Sequence, residues 1–192
     1  MFLGTSDMKL SEMVGAYGTF INKGVHVDPL YVTEIRDKYG NVISRFGKRE
    51  REVIDEQTAF MMVSLLEGVV NQGTARRLRG PKYRLTCQMG GKTGTTQNQS
   101  DGWFMAVMPN LVAGVWVGGE ERYIHFNRTR DGQGAEMALP IYAKFMKALY
   151  DDPKQPYNQN TRFNFPADIN LCGSFVPQPA ETIEETVDGY FD

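Results

Sequence analysis

The sequence of 192 residues has only two cysteines and two histidines, the residue types from which zinc and other transition-metal sites are most often built. The spacing of its two cysteines, Cys87 and Cys172, fits no metal-ligand motif, and its two histidines, His26 and His125, belong to no cluster. We therefore predict no metal ion and no cofactor. We expect the cysteines to be isolated buried thiols rather than a disulfide, and they leave the cellular compartment open.

Long apolar runs and an excess of positive charge are also missing. No run reaches the length needed to cross a membrane, and residues 1–4 are too few for a signal peptide. The formal net charge of −2 gives no reason to expect nucleic acid or an anionic membrane surface as a partner. If the protein is exported or anchored, we expect the responsible segments outside these residues.

The composition that is present, 41% hydrophobic and 11% aromatic residues, is typical of a globular domain. The character of the sequence changes beyond Tyr150, because five of its nine prolines fall within 153–179 and no Lys or Arg follows Arg162. We therefore predict a folded domain over 1–150 and an extended or partly disordered, acidic tail over 151–192.

Apolar periodicity predicts three helices. The first begins at Leu10 and stops near Gly24. The second is capped by Asp55 and closed by Gly73, and the third contains Pro140, which we expect near its first turn. The predicted apolar stripes are, in order, Leu10, Met13, Val14, Tyr17, Phe20 and Ile21; Ala59, Met62, Val63, Leu66 and Val70; and Leu139, Tyr142, Phe145, Met146 and Leu149.

Strand patterns occur in two places. Residues 31–35 and 42–46 flank a polar turn at 37–41 and predict a small surface hairpin. Between roughly 86 and 118 we predict three strands, of which the first carries a lysine and hydroxyls. The other two form a hairpin around Pro109-Asn110.

The most informative feature is the tetrad Lys92-Thr93-Gly94-Thr95, which follows two glycines and precedes a polar run. On a strand, positions 93 and 95 point to the same face, so two hydroxyls can bind one carboxylate. Gly94 lets a substrate chain approach closely. A cation and hydroxyls on one strand can bind a carboxylate and polarise a carbonyl, which is the electrostatic half of a serine acyl-transfer site.

Two other interpretations of the tetrad are weaker. Gly91-Lys92-Thr93 looks like the end of a phosphate-binding P-loop, but that motif needs a glycine where the sequence has Thr86, and a helix where strands follow. An exposed Lys/Thr strand without function would be the default for four residues alone. The order of the surrounding elements favours the acyl-transfer site over both.

Further segments keep the order found in one enzyme family. They are Gly4-Thr5-Ser6-Asp7, Leu10-Ser11-Glu12-Met13, Ala16-Tyr17-Gly18-Thr19-Phe20, Gly68-Val69-Val70, Gly73-Thr74-Ala75, Asp101-Gly102-Trp103-Phe104, and Pro140-Ile141-Tyr142 with Phe145-Met146. Together with the tetrad, they resemble the C-terminal part of the transpeptidase domain of class A penicillin-binding proteins. The resemblance covers roughly 1–150. It implies an α+β fold, related to that of serine β-lactamases, in which helices flank an antiparallel sheet.

The resemblance also implies the family's reaction. A serine attacks the penultimate D-alanine carbonyl of a peptidoglycan stem peptide, expels the terminal D-alanine and passes the acyl group to an amine. β-Lactams imitate the donor and stay attached. The implied location is the periplasmic face of the inner membrane, with the anchor and a glycosyltransferase activity supplied by segments outside this chain.

The family's residue roles map onto the tetrad. By the resemblance, Lys92 supplies positive charge beside the nucleophile, and the hydroxyls of Thr93 and Thr95 bind the donor's terminal carboxylate. Gly94 admits the substrate, and the backbone N–H of Thr95 is one of two oxyanion donors. We therefore expect Lys92 and Thr95 as catalytic residues, and Thr93, Gly94 and Thr95 as substrate-binding residues.

Two of the family's three motifs have no counterpart here. No S-x-N occurs, and the S-x-x-K string Ser6-Asp7-Met8-Lys9 aligns with a family loop that enters a helix downstream of S-x-N. We reject Ser6 as the nucleophile, because a serine at a helix entrance is most often a cap. Tyr39-Gly40-Asn41 imitates a Y-x-N variant but falls in the predicted turn.

These gaps predict an enzyme fragment that carries the oxyanion strand without the nucleophile. The alternatives are a fragment of a serine β-lactamase or D,D-carboxypeptidase, a non-catalytic module that binds cell-wall peptides, and a degenerate relative without an active site. The sequence preceding Met1 would distinguish them.

In the family sheet, the strand at 111–117 is interior, and its outer neighbour comes from sequence before Met1. Exposed strand edges pair with other chains, so we expect this edge to be covered. The candidates are a second copy in a homodimer and the chain's own tail around 163–175. We favour the homodimer, because a proline-rich tail such as 151–192 is a poor strand partner.

The missing nucleophile makes a direct prediction. The 192-residue chain alone is not acylated by a fluorescent penicillin, because without an attacking group no covalent adduct forms. Intact-mass spectrometry after incubation measures this. A stoichiometric adduct mapped to Ser6 would show instead that Ser6 and Lys9 are a catalytic pair.

Overall fold

The structure is a computed structural model and describes residues 7–165. Within that range the helices are Leu10–Ile21 (α1), Glu56–Asn71 (α2) and Gly134–Asp151 (α3). Four short strands precede α2: Val25–Val27 (β1), Glu34–Arg36 (β2), Val42–Arg45 (β3) and Glu50–Glu52 (β4). Three longer strands lie between α2 and α3: Gly90–Thr95 (β5), Asp101–Met108 (β6) and Leu111–Gly118 (β7). Short 3₁₀ turns occur at Arg76–Leu78 and Gln97–Gln99.

The three longer strands form one antiparallel sheet in the order β5-β6-β7. Met108 and Leu111 pair across the two-residue turn, as the predicted hairpin requires. Side chains of β6 alternate between the faces: Phe104 packs on Tyr142 of α3, whereas Met105 lies on the α1 side, where its sulfur and Leu10 both border Gly114. Helix α1 packs on β6 and β7 from one face, α3 covers the other face, and α2 packs against β5, which confirms the α+β fold.

The core on the α3 face contains a buried tyrosine. Tyr142 is fully buried, and its hydroxyl lies 2.9 Å from the sulfur of Met108 and 3.7 Å from that of Met89. Burial raises the pKa of Tyr142 well above its ordinary value. Cys87 in the same core is buried with a free thiol, as predicted, and burial raises its pKa. Cys172 lies outside the described residues.

Helix α2 begins and ends where the sequence predicts. The side chain of Asp55 accepts a hydrogen bond of 2.8 Å from the backbone N–H of Thr58 and one of 2.6 Å from its hydroxyl. Gly73 follows the C-cap residue Gln72. A Cβ at Gly73 would lie 2.9 Å from the carbonyl oxygen of Val69, so crowding against α2 favours glycine here.

The predicted surface hairpin is formed by β2 and β3. Asp37 holds its turn by accepting hydrogen bonds from the backbone N–H groups of Tyr39 (2.8 Å) and Asn41 (2.9 Å). The string Tyr39-Gly40-Asn41 is therefore a turn. Sequence reasoning missed the pairing of β1 with β4, because each strand has three residues and β4 contains only charged ones.

Three helix predictions need correction. Pro140 is the seventh residue of α3 rather than part of its first turn, and packing against the sheet maintains the helix despite the missing backbone donor. Phe145 is 51% exposed, because it lies at the margin of the buried stripe. The N-cap of α1 is Lys9 rather than a serine, and Ser6 lies outside the described residues.

After α3, the described part of the tail lies against the domain. The side-chain oxygen of Gln159 accepts a hydrogen bond of 2.7 Å from the backbone N–H of Thr86, and the N–H of Phe163 donates to Gln88 at 2.8 Å. The ring of Phe165 packs 5.1 Å from that of Phe60 in α2.

None of the helices in residues 7–165 combines the length and apolar character that crossing a bilayer requires.

Strand β7 pairs with β6 and, within residues 7–165, with no other strand. The tail contacts at Gln88 and Phe60 lie away from it, and residues 166–175 fall outside the described range. Because Met108 and Leu111 pair across a two-residue turn, alternation directs the N–H of Val112 away from β6.

We predict that the edge of β7 mediates a homodimer. Val112→Pro removes an outward donor without breaking the β6 ladder, so it should shift the chain from dimer to monomer. Light scattering on a sizing column measures the mass. Deletion of 166–192 is the control and should leave the dimer intact. A well-behaved monomer in both the intact and the truncated chain would contradict the prediction.

Candidate functional site

The tetrad occupies the outer edge of the sheet, because β5 pairs with β6 alone among the described strands. Gly90 and Gly91 begin β5 in the buried core, and the strand then emerges at the surface. Lys92 and Thr95 are exposed, and Thr93 and Gly94 are half-buried. A substrate can therefore reach the tetrad along the free side of the strand.

The backbone of β5 directs alternate polar groups toward this free side. The N–H of Thr96 donates to the carbonyl of Asp101 at 3.2 Å, and hydrogen-bonded pairs alternate along an antiparallel ladder. The N–H and C=O groups of Thr93 and Thr95 therefore point away from β6. Consistent with this, the Lys92 ammonium donates to the Thr93 carbonyl at 2.6 Å.

The hydroxyls of Thr93 and Thr95 share the face that α3 covers, as strand periodicity predicts. Thr93 pairs with Phe104 and Thr95 with Gly102, both on the α3 side. The Thr93 hydroxyl lies 3.0 Å from that of Thr74, and the backbone N–H of Gly134 donates to the Thr95 hydroxyl at 3.2 Å.

Helix α3 reaches the tetrad because Gly134 has no side chain. A Cβ at Gly134 would lie 2.3 Å from the carbonyl oxygen of Gly94 and 2.4 Å from that of Trp103. The first turn of α3 thus rests directly on the backbones of β5 and β6. Its N-terminus carries partial positive charge next to the Thr95 hydroxyl.

An ion pair links the first turn of α3 to the segment that carries Thr74. The guanidinium of Arg77 donates to the Glu136 carboxylate at 2.7 Å and to the carbonyl of Ala135 at 3.2 Å. The hydrogen bond with Glu136 raises the pKa of Arg77, and the reverse contact lowers the pKa of Glu136. Both side chains are more than a third exposed, so the pair adds little to the free energy of unfolding. Its main effect is to orient the two segments relative to each other.

The structure brings the predicted residues Lys92, Thr93, Gly94 and Thr95 together on one strand edge. By strand alternation, Lys92 projects from the opposite face to the two threonines. Sequence reasoning missed the contacts of Thr74 and Gly134. Thr74 belongs to a segment that resembles the family, but no sequence pattern indicates that it contacts Thr93.

Other site types find no support in the described range. Residues 7–165 contain no group of three or more His, Cys, Asp or Glu side chains that could hold a metal ion. Two surface cavities border the 77–85 segment rather than the tetrad. The candidate site is an open strand edge, because β5 pairs with β6 alone among the described strands.

Comparison with known proteins defines the class. Residues 5–147 match the family model of the penicillin binding protein transpeptidase domain. The chain is 30% identical over 187 residues to penicillin-binding protein 1A of Aquifex aeolicus. The aligned region covers 97% of this chain and 24% of that protein. The chain therefore belongs to the penicillin-binding protein transpeptidase family, as the sequence resemblance predicted.

Solved structures share the fold. Penicillin-binding protein 1A of Haemophilus influenzae superposes with a TM-score of 0.71 at 21% identity, covering 83% of this chain and 28% of that one. PonA1 of Mycobacterium tuberculosis, in complex with penicillin V, superposes with a TM-score of 0.66 at 22% identity. The superposition covers 85% of this chain and 43% of PonA1. The chain spans about a quarter of the length of the curated relatives it matches.

The close approach of α3 predicts a stability effect. Gly134→Ala should lower the free energy of unfolding by at least about 2 kcal/mol, because the added Cβ overlaps two backbone carbonyls. Urea denaturation measures this. The matched control is Gly68→Ala in α2, where a Cβ meets nothing within 4 Å and alanine should be neutral or stabilising. Equal stability of the two variants would contradict the role of Gly134.

Proposed function

We propose that the free edge of β5 is the carboxylate- and oxyanion-binding half of a D,D-transpeptidase site. The observation that carries the proposal is the pair of hydroxyls, Thr93 and Thr95, on one face at an accessible strand edge. The substrate class is a peptidoglycan stem peptide that ends in D-alanine, and β-lactams are its analogues.

The arrangement at Thr95 suits an anionic ligand. Its hydroxyl oxygen accepts the N–H of Gly134 at 3.2 Å, so its own hydrogen can be donated to a carboxylate. The partial positive charge at the N-terminus of α3 favours an anion at this place. Charge-assisted hydrogen bonds of this kind contribute about 1.5–3 kcal/mol each.

The backbone of Thr95 supports the oxyanion role. Its N–H points to the free side of β5, where a scissile carbonyl would lie beside the strand. As a nucleophile attacks, negative charge develops on the carbonyl oxygen, and a fixed N–H donor stabilises it. Gly94, between the two threonines, would bind the substrate through its backbone, since a Cβ there would lie 3.1 Å from that of Trp103 on the neighbouring strand.

Lys92 would supply positive charge to the reacting groups. It is exposed at the strand edge, and none of the salt bridges within residues 7–165 includes it. Its ammonium hydrogen-bonds the Thr93 carbonyl, which holds the charge beside the free side of β5. This position suits stabilisation of a serine alkoxide and of the proton transfers that accompany acylation.

The nucleophilic serine would come from a segment outside this chain, since the sequence has no S-x-N motif and its S-x-x-K string aligns elsewhere. In the proposed reaction, the serine oxygen bonds to the penultimate carbonyl carbon and the bond to the terminal D-alanine breaks. The departing amine takes a proton. An acceptor amine then displaces the serine and forms the cross-link.

The family match and the penicillin-binding proteins among the relatives support this reaction. PonA1, a structure of the same fold, was determined with penicillin V bound. We infer an extracytoplasmic location, with a membrane anchor and a glycosyltransferase activity in segments outside the chain. None of the observed contacts favours a hydrolase over a transpeptidase.

The proposal predicts the effect of one substitution in the full-length protein. Lys92→Ala should slow acylation by a fluorescent penicillin about 100-fold, because it removes preorganised charge from the transition state. Stopped-flow or gel-based labelling measures the rate.

Two exposed lysines serve as matched controls. Lys147→Ala removes an exposed charge on α3, and Lys23→Ala removes one that pairs with Glu56 at 3.0 Å. Both should retain wild-type rates, because solvated lysines contribute little. If all three variants label equally fast, Lys92 is not part of the site.

A further inference from the structure

We propose that Thr74 is a positioning residue that sets the Thr93 hydroxyl as a donor to the ligand carboxylate. The inference rests on the proposed function of the β5 edge and adds a residue to it. Thr74 lies between α2 and the 3₁₀ turn at Arg76–Leu78, in a segment separated from the tetrad by 17 intervening residues.

The contact joins two hydroxyls that have no other side-chain partner within residues 7–165. The Oγ1 atoms of Thr74 and Thr93 are 3.0 Å apart, a normal hydrogen-bond distance. Each hydroxyl has one hydrogen and can accept two. The pair therefore has two possible directions, with either threonine as the donor.

A bound carboxylate selects one direction. A carboxylate only accepts hydrogen bonds, so Thr93 must donate its single hydroxyl hydrogen to the ligand. Its oxygen is then left to accept the hydrogen of Thr74. The resulting order, Thr74 to Thr93 to carboxylate, lets each hydrogen bond polarise the next.

The Thr95 hydroxyl also accepts a hydrogen bond from the protein, and here the donor cannot change. The backbone N–H of Gly134 can only donate, and it donates to Thr95 at 3.2 Å. Both carboxylate-binding hydroxyls therefore have a donor on the protein side and a free hydrogen on the ligand side. Thr74 performs with a side chain for Thr93 what Gly134 performs with its backbone for Thr95.

The backbone at Thr74 is held independently of its hydroxyl. The N–H of Ala75 donates to the Val69 carbonyl and that of Arg76 to the Gly73 carbonyl, each at 3.1 Å. Ala75 is fully buried, and Arg77 bonds to the first turn of α3. Thr74 itself is exposed, so removal of its hydroxyl should leave the fold intact.

The test is saturation kinetics of acylation by a fluorescent penicillin in the full-length protein. Thr74→Val, which keeps the shape and removes the hydroxyl, should raise the half-saturating concentration about fivefold. The limiting acylation rate should change less than twofold, because the carboxylate is bound equally before and during the attack. Thr74→Ser, which keeps the hydroxyl, should restore the wild-type value.

A double variant tests whether Thr74 acts through Thr93. Thr93→Val alone should weaken binding, and adding Thr74→Val should weaken it no further. Thr33→Val, at an exposed threonine next to the β2–β3 hairpin, is the matched control and should behave as wild type.

The outcomes separate the two proposals. If Thr93→Val leaves acylation unchanged, the proposed function of the β5 edge is wrong. If Thr93→Val weakens binding but Thr74→Val does not, or if the two effects add, the role of Thr74 is wrong and the carboxylate site stands. Failure of Thr74→Ser to restore binding would also overturn the positioning role.

Discussion

The contact between the first turn of α3 and the backbone of β5 is the constraint on which the candidate site depends. Gly134 lies against Gly94 and Trp103 so closely that no side chain fits between them. This contact brings a helix N-terminus to the Thr95 hydroxyl and fixes one face of the tetrad. The free edge of β5, on the side away from β6, stays open, because the strand pairs with β6 alone among the described strands.

The side of β5 that faces the protein is therefore held by packing and hydrogen bonds, whereas the free side is accessible to a ligand. Toward the protein, the strand is held by the β6 ladder, by α3 and by the Thr74 segment, which Arg77 in turn links to α3. Toward solvent, it presents an ammonium group, two hydroxyls and outward backbone groups. A preorganised electrostatic site needs this combination, since donors that must reorganise as charge develops contribute less to catalysis.

Several elements were predictable because their signals are local. The cap at Asp55, the turn at Asp37 and the hairpin at Pro109-Asn110 each depend on residues within a few positions of one another. The β1–β4 pairing was not predictable, since it joins strands of three residues and β4 is entirely charged and exposed. Pro140 inside α3 shows tertiary packing overriding a local preference of the backbone.

By itself, the sequence determined the family, the tetrad and the shared face of Thr93 and Thr95, because strand periodicity and motif order are properties of the chain. Only the tertiary structure decided which groups of the protein hydrogen-bond to those hydroxyls. Thr74 and Gly134 are 19 residues before Thr93 and 39 residues after Thr95, respectively. They meet the tetrad because α2 and α3 pack against the same sheet, and a contact made by packing distant segments leaves no periodic signal in the sequence.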